Sequence, residues 1–215
     1  TSNAVTVTVN PKHVVPVQTQ TICSGATFTI NPVNNQPTTI IPANTTYTWT
    51  VQANNNIIGE SNQSSPQSVI SQQLTNTSTT VQTVIYTVTP TSGAQGSCVG
   101  STFTATITVN PDAKAQFNID TTIGCVPYRL RDHITLVPHI NANNQPQFRW
   151  YADGVLIGTG ATVPNYSITQ PGDTVVLKLF AKSLHGCKDD SVSVTIYTIE
   201  QPQPSFTTSV DTACG

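Results

Sequence analysis

The chain has 215 residues, of which 8% are charged, and a formal net charge of −2. That balance, with no basic run, excludes the electrostatic footprint of a nucleic-acid-binding protein. It also excludes a polybasic membrane patch, and no apolar stretch reaches the ~20 residues a membrane helix needs. In place of charge there are 37 threonines and no methionine. A β-branched, half-polar composition of this kind suits pleated surfaces with one solvated face.

Read in chain order, the sequence repeats itself. Thr6-Val7-Thr8-Val9-Asn10-Pro11 returns as Thr106-Ile107-Thr108-Val109-Asn110-Pro111, and the Phe117…Cys125 spacing returns as Phe206…Cys214. A period of 89–100 residues predicts two full modules inside a longer array. Residues 1–11 read as the end strand of a preceding repeat. Residues 12–111 and 112–201 read as the two modules. Residues 202–215 read as a linker and the start of a third.

Alternation of period two predicts strands at Thr27–Ile30, Thr45–Val51, Val84–Val88 and Phe103–Val109. No segment shows helical periodicity. Turn chemistry separates the runs: Asn34-Asn35-Gln36-Pro37, Asn54-Asn55-Asn56 and Ser92-Gly93, then Gly158 to Gly160, Pro171-Gly172 and His185-Gly186. Asp153-Gly154 between Phe148–Tyr151 and Val155–Ile157 predicts a tight hairpin. About seven short strands per module is a sandwich count. The short proline-bearing connections, with Pro11, Pro111, Pro202 and Pro204, predict a semi-rigid array.

Five cysteines fall in a pattern. Cys23 and Cys98 lie in the first module, Cys125 and Cys187 in the second, and Cys214 sits where Cys125 does. Two per module predicts one disulfide per module, Cys23 with Cys98 and Cys125 with Cys187, and an oxidising compartment. The alternative is free core thiols. The Gly-containing turns around Cys98 and Cys187 speak against that. Such bonds would stabilise each module by about 3–5 kcal/mol in the chain-entropy model.

The second module carries Phe117, Gly124-Cys125-Val126-Pro127, Phe148-Arg149-Trp150-Tyr151-Ala152-Asp153-Gly154 and Gly186-Cys187-Lys188-Asp189. This set resembles the PKD (polycystic-kidney-disease) domain, with Tyr151 and Ala152 in place of the family's Phe and first Gly. The first module, with Ile22-Cys23-Ser24-Gly25, Tyr47-Thr48-Trp49 and Ile85-Tyr86-Thr87-Val88, resembles the PKD-like repeats of very large bacterial surface proteins. The resemblance implies an all-β fold: two tandem immunoglobulin-like sandwiches of about seven strands each, part of a longer array. It implies the function of a giant cell-surface adhesin of gliding Bacteroidota, exported by the type IX system and gripping surfaces or polysaccharide. A carbohydrate-binding accessory module of a secreted polysaccharide-degrading enzyme is the alternative.

Candidate sites are few. Trp49 and Trp150 recur at equivalent mid-strand positions and read as core residues rather than sugar platforms. His13, His133, His139 and His185 lack metal spacing and read as solvated or locally bonded. Asp189 and Asp190, with Asp153 or Asp132, are the acids a Ca²⁺ ion would use, but calcium wants six to eight oxygens. No metal or cofactor is expected. No carboxylate pair or nucleophile constellation supports an enzyme. A lysine–asparagine cross-link would need a buried lysine, for which Lys178 is the candidate. Thr121, Thr174, Ser191 and Thr212 each follow an Asp, a pattern matching O-glycosylation acceptors of Bacteroidota. The expected partners are neighbouring repeats and surface polysaccharide, with no nucleic acid and no membrane insertion.

Overall fold

The structure, a computed structural model, describes residues 11–93, 97–137 and 146–206. The described residues divide into two compact units. The first holds 11–93, 97–114, Pro146 and 182–189, and the second holds 115–137, 147–181 and 190–206. Residues 1–10 of the expected end strand (1–11) and 207–215 of the expected linker and third repeat (202–215) lie outside the described residues.

The first unit is built from β1 (Gln18–Cys23), β2 (Thr27–Ile30), β3 (Thr46–Val51), β4 (Ile57–Ile58), β5 (Gln63–Gln67), β6 (Ile70–Gln73), β7 (Thr75–Asn76), β8 (Gln82–Thr91) and β9 (Phe103–Asn110). One sheet runs in the order β1-β9-β8-β3-β5, faced by the pairs β2-β6 and β4-β7. The alternation predicted from sequence is what drives the pairing. Along β9 every second side chain (Phe103, Ala105, Ile107, Val109) is buried, while the intervening threonines are partly solvated. One contiguous core joins the sheet to its facing strands, including Phe28, Ile70, Tyr47, Trp49, Val84, Tyr86 and Ile107. Phe28 and Tyr86 pack with ring centroids 5.2 Å apart, and Tyr47 meets Phe103 edge-on at 6.2 Å. The edge strand β5 carries Pro66, which has no ladder donor to give and so suits an edge.

The second unit is built from β10 (Phe117–Ile119), β11 (Ile123–Cys125), β12 (Tyr128–Arg129), α1 (Leu130–His133), β13 (Ile134–Leu136), β14 (Gln147–Ala152), β15 (Val155–Thr159), β16 (Ser167–Ile168), β17 (Thr174–Lys182) and β18 (Asp190–Ile199). Its main sheet runs β11-β18-β17-β14-β15, with the pairs β10-β13 and β12-β16 beside it. That order matches the first unit strand for strand. In both, the strand carrying the first cysteine runs parallel to the last strand of the sheet. The hairpin predicted at Asp153-Gly154 forms: Ala152 pairs with Val155, and both turn residues have positive φ, 47° and 80°. The single turn α1 has no counterpart in the sequence expectation. Four residues are too few to show a period.

Candidate functional site

The cysteines hold the first finding. Cys23 is bonded to Cys187, with sulfurs 2.04 Å and Cα atoms 5.4 Å apart, while Cys98 and Cys125 are free, exposed thiols. The pairing expected from sequence, Cys23 with Cys98 and Cys125 with Cys187, is not the one formed. The reason is the parallel strand. Cys23 ends β1 opposite Asn110, the last residue of β9. Cys98 lies in the loop that precedes Phe103, the first residue of β9. The length of β9 separates them, about 23 Å at ~3.3 Å per residue, whereas a disulfide tolerates a Cα separation of only ~4.4–6.8 Å. The second unit repeats the problem. Cys125 ends β11 opposite Ile199 at the close of β18, and Cys187 precedes the start of β18. Within one module the two cysteines sit at opposite ends.

The bond that does form is well seated. Ala113 N–H donates to the carbonyl of Lys188 at 2.9 Å, and Lys188 N–H donates to Asp112 Oδ1 at 3.2 Å. The Ser183 hydroxyl accepts from Cys187 N–H at 3.2 Å, and Asp189 Oδ1 accepts from Ser183 N–H at 2.8 Å. On the other side, Ser24 N–H donates to Asn110 O at 2.9 Å, and the Ser24 hydroxyl donates to Asn76 O at 3.2 Å. Asn76 is buried, and its amide donates to Thr80 O and Val109 O. Buried polar groups paired this fully hold a loop rigid.

The tryptophans lie at matched places, Trp49 in β3 and Trp150 in β14, with only 5% and 0% of their surface exposed. Trp49 Nε1 donates to Ser61 O, and Trp150 packs on Phe117 with ring centroids 5.7 Å apart. With so little surface exposed, both rings serve the core.

Three of the four acids named for calcium hold backbone N–H groups. Asp153 Oδ1 accepts from Val176 N–H, Asp190 Oδ2 from Ala115 N–H, and Asp189 Oδ1 from Ser183 N–H. Among the described residues no group of three His, Cys, Asp or Glu side chains is placed to hold a metal. Lys178 is exposed on β17, so the condition for a lysine–asparagine cross-link, a buried lysine, is not met. Of the O-glycosylation candidates, Thr174 and Ser191 are exposed. Thr121 is partly exposed, and its hydroxyl donates to Ile123 O at 2.7 Å. Thr212 lies outside the described residues.

His13 was expected to be solvated or locally bonded. It is buried, at 2% exposure, and its Nε2 lies 3.0 Å from Thr45 Oγ1. Burial lowers its pKa. His133 is bonded to Asp120, its Nδ1 3.0 Å from the carboxylate, and stacks on Tyr128. His139 lies outside the described residues.

Two open grooves lie on the outer faces of the equivalent sheets. The first, about 440 Å³, is lined by Thr48, Trp49, Thr50, Asn62, Gln63, Ser64, Thr87 and Thr89 of the β3, β5 and β8 region. The second, about 430 Å³, is lined by Arg149, Tyr151, Gly154, Val176, Lys178 and Phe180 of the β14–β17 region. The fold supplies the concavity at the same place in both units. The residues make one groove neutral and hydroxyl-rich, the other cationic and aromatic. No sequence expectation singled these grooves out. The signal was present as alternate positions on β14 (Arg149, Tyr151) and β17 (Val176, Lys178, Phe180), which share the face opposite the core.

Comparison with known proteins gives one family match and several structural neighbours. Residues 14–113 match the model of the PKD-like domain family. Among solved structures, fibronectin(III)-like modules of Clostridium thermocellum CbhA are 11% identical, covering 89% of this chain and 96% of that one, with a TM-score of 0.31. The N-terminal four Ig domains of Dscam1 isoform 4.4 are 12% identical, covering 91% and 45%, with a TM-score of 0.35. A chimeric titin Z1Z2 tandem is 13% identical, covering 84% and 95%, with a TM-score of 0.23. No curated protein sequence matches the chain. The sheet order and the family match define an all-β chain of immunoglobulin-like units, the first of which is similar to PKD-like domains.

Proposed function

We propose that this chain is a non-catalytic repeat segment, a stalk and display element, of a large secreted bacterial cell-surface adhesin. Its setting is gliding motility and attachment to surfaces or polysaccharide, with export by the type IX route. Its partners are neighbouring repeats of the same kind. The observation that carries the reading is the match of residues 14–113 to PKD-like domains, in a chain that holds the Cys23–Cys187 disulfide. A disulfide belongs to oxidising, extracytoplasmic compartments, and PKD-like units are modules of extracellular repeat regions. The polar residues singled out as candidates are engaged in holding loops, which suits a structural role. Thr121, Thr174, Ser191 and Thr212 are the sites where such a surface segment would carry O-linked sugar.

Protease shaving of intact source cells, followed by blotting with an antibody to this segment, tests the reading. Signal lost without lysis supports a surface segment. Signal protected until lysis overturns it. The second reading, a carbohydrate-binding accessory module, is favoured by the groove of Arg149, Tyr151, Lys178 and Phe180. A glycan array with and without Ca²⁺ separates the two. Binding that is lost in Tyr151→Ala supports the accessory module, and no binding supports the stalk.

A further inference from the structure

We propose that the groove on the outer face of β14 and β17 takes an acidic polysaccharide. Its sugar rings lie on Tyr151 and Phe180, and its carboxylate or sulfate groups meet Arg149 and Lys178. This rests on the carbohydrate-binding reading above and names the ligand class of that same site.

The first observation is charge. Arg149 and Lys178 are both exposed, and neither has an ion pair or hydrogen bond among the described residues. No acid lines the groove of about 430 Å³. The flanking strands place none opposite these positions. Lys178 pairs with Ser193 and Phe180 with Ser191 on β18, while Arg149 pairs with Thr159 and Tyr151 with Leu156 on β15. Asp153, in the hairpin beside the groove, already holds the Val176 N–H through Oδ1. A chain of net charge −2 thus keeps two cations in one groove without a counter-charge. An Arg fork and a Lys ammonium are donors suited to carboxylate or sulfate oxygens.

The second observation is the rings. Tyr151 and Phe180 are partly exposed, while their strand neighbours Trp150 and Leu179 are fully buried. Apolar surface with a few polar groups to fix orientation is the usual make-up of a binding site. The exposed Ser191 and Ser193 add hydroxyls beside the rings.

The first unit shows that the fold does not require these residues. Thr48 and Thr50 flank Trp49 as Arg149 and Tyr151 flank Trp150. The groove there is of equal size, about 440 Å³, and carries no charge. Threonine satisfies the sheet, so the cations and rings are an addition of the second unit.

The sheet also favours a glycan over an acidic peptide. β14 and β17 each have a strand on both sides. Their backbone groups are therefore taken, and a peptide cannot add to them as a further strand. A sugar needs no backbone partner: it uses ring faces, hydroxyls and charge.

Calorimetric titration of the full chain tests this, with sodium polygalacturonate, its methyl-esterified form, dextran sulfate, dextran and poly-glutamate as probes. Polygalacturonate or dextran sulfate should bind about tenfold tighter than its uncharged counterpart, and weaken as salt is raised. Whichever of the two binds more tightly identifies the acid as carboxylate or sulfate. Arg149→Gln and Lys178→Gln should each weaken binding about tenfold, while melting like the parent. Thr50→Ala, in the neutral groove, should leave binding unchanged. Equal binding of charged and uncharged polymers would overturn the proposal and leave the carbohydrate-binding reading standing. No binding to any polysaccharide would overturn both. Poly-glutamate binding as tightly as the acidic glycans, or full binding by Arg149→Gln and Lys178→Gln, would overturn the proposal as well.

Discussion

His13 shows how one buried ring couples the fold to pH. The Thr45 hydroxyl donates to Pro42 O at 2.6 Å, so it accepts from His13 Nε2–H. The ring is thus the neutral tautomer with Nδ1 bare, and that buried nitrogen has no hydrogen-bond partner among the described residues. Protonating it would bury an unpaired charge. Because burial lowers its folded pKa below the ordinary 6.5, the unfolded chain takes up the proton first. This group therefore leaves stability unaffected above about pH 6.5, and stability falls as pH drops from there toward the lowered folded pKa. Urea midpoints measured from pH 8 to 5 should show this fall in the parent and a flatter profile in His13→Gln. Equal slopes in both would rule His13 out as the source. Gly100 guards the same ring: a Cβ there would lie 2.6 Å from His13 Cβ.

Tyr128 behaves in the opposite pH range. Its phenol donates to Thr121 O, and its ring covers Gly124, where a Cβ would sit 2.7 Å from the ring. Burial first, and then the charge of Asp120, push its pKa up to about 12. The unfolded chain ionises near pH 10, so this group's contribution is intact below pH 10 and is lost as pH rises toward 12. Tyr128→Phe should cost about 1 kcal/mol at neutral pH. It should also remove one late-titrating phenol from the ultraviolet absorbance titration of the folded chain, and an unchanged titration would count against the assignment.

At the scale of elements, what alternation could reveal depended on burial. Strands with one dry face, such as β2, β3, β8 and β9, show an apolar period of two and were visible as sequence. Strand β1, Gln-Thr-Gln-Thr-Ile-Cys, lies at a sheet edge with five of its six side chains at least partly exposed, so it carries little apolar period. Missing its parallel pairing with β9 is what put the disulfides in the wrong places. The repeat alignment matched the cysteines correctly in kind, but sequence spacing says nothing of which end of a strand a residue reaches. The outer-face groove was hidden for a related reason. Arg149, Tyr151, Lys178 and Phe180 are ordinary surface residues until β14 and β17 lie side by side. The two faces of β14 give a clear prediction. Trp150→Ala should cost about 3–5 kcal/mol by emptying a core position. Tyr151→Ala, one residue along on the solvated side, should change stability by much less, and thermal melts of the two variants compare them directly. Similar losses in both would contradict the assignment of faces.

For the molecule as a whole, the Cys23–Cys187 bond spans 164 residues of sequence. A closure of that length removes enough unfolded-state entropy for about 5 kcal/mol in the chain-entropy model. Reduction should therefore lower the denaturation midpoint, and Cys23→Ser should reproduce the reduced value without reductant. A surviving midpoint in both would mean the bond contributes no net stability.

The same closure decides where tension travels when the chain is held by its two ends. Force entering before residue 23 crosses the sulfur bridge and leaves after residue 187, so everything between is a slack side-loop. At ~3.4 Å per residue the bridge withholds roughly 55 nm of contour length. In a single-molecule pull the oxidised chain should stretch short by that amount, and adding reductant under load should release it in one added length. Redox state, rather than the strength of any β-sheet, then sets how far this segment can pay out.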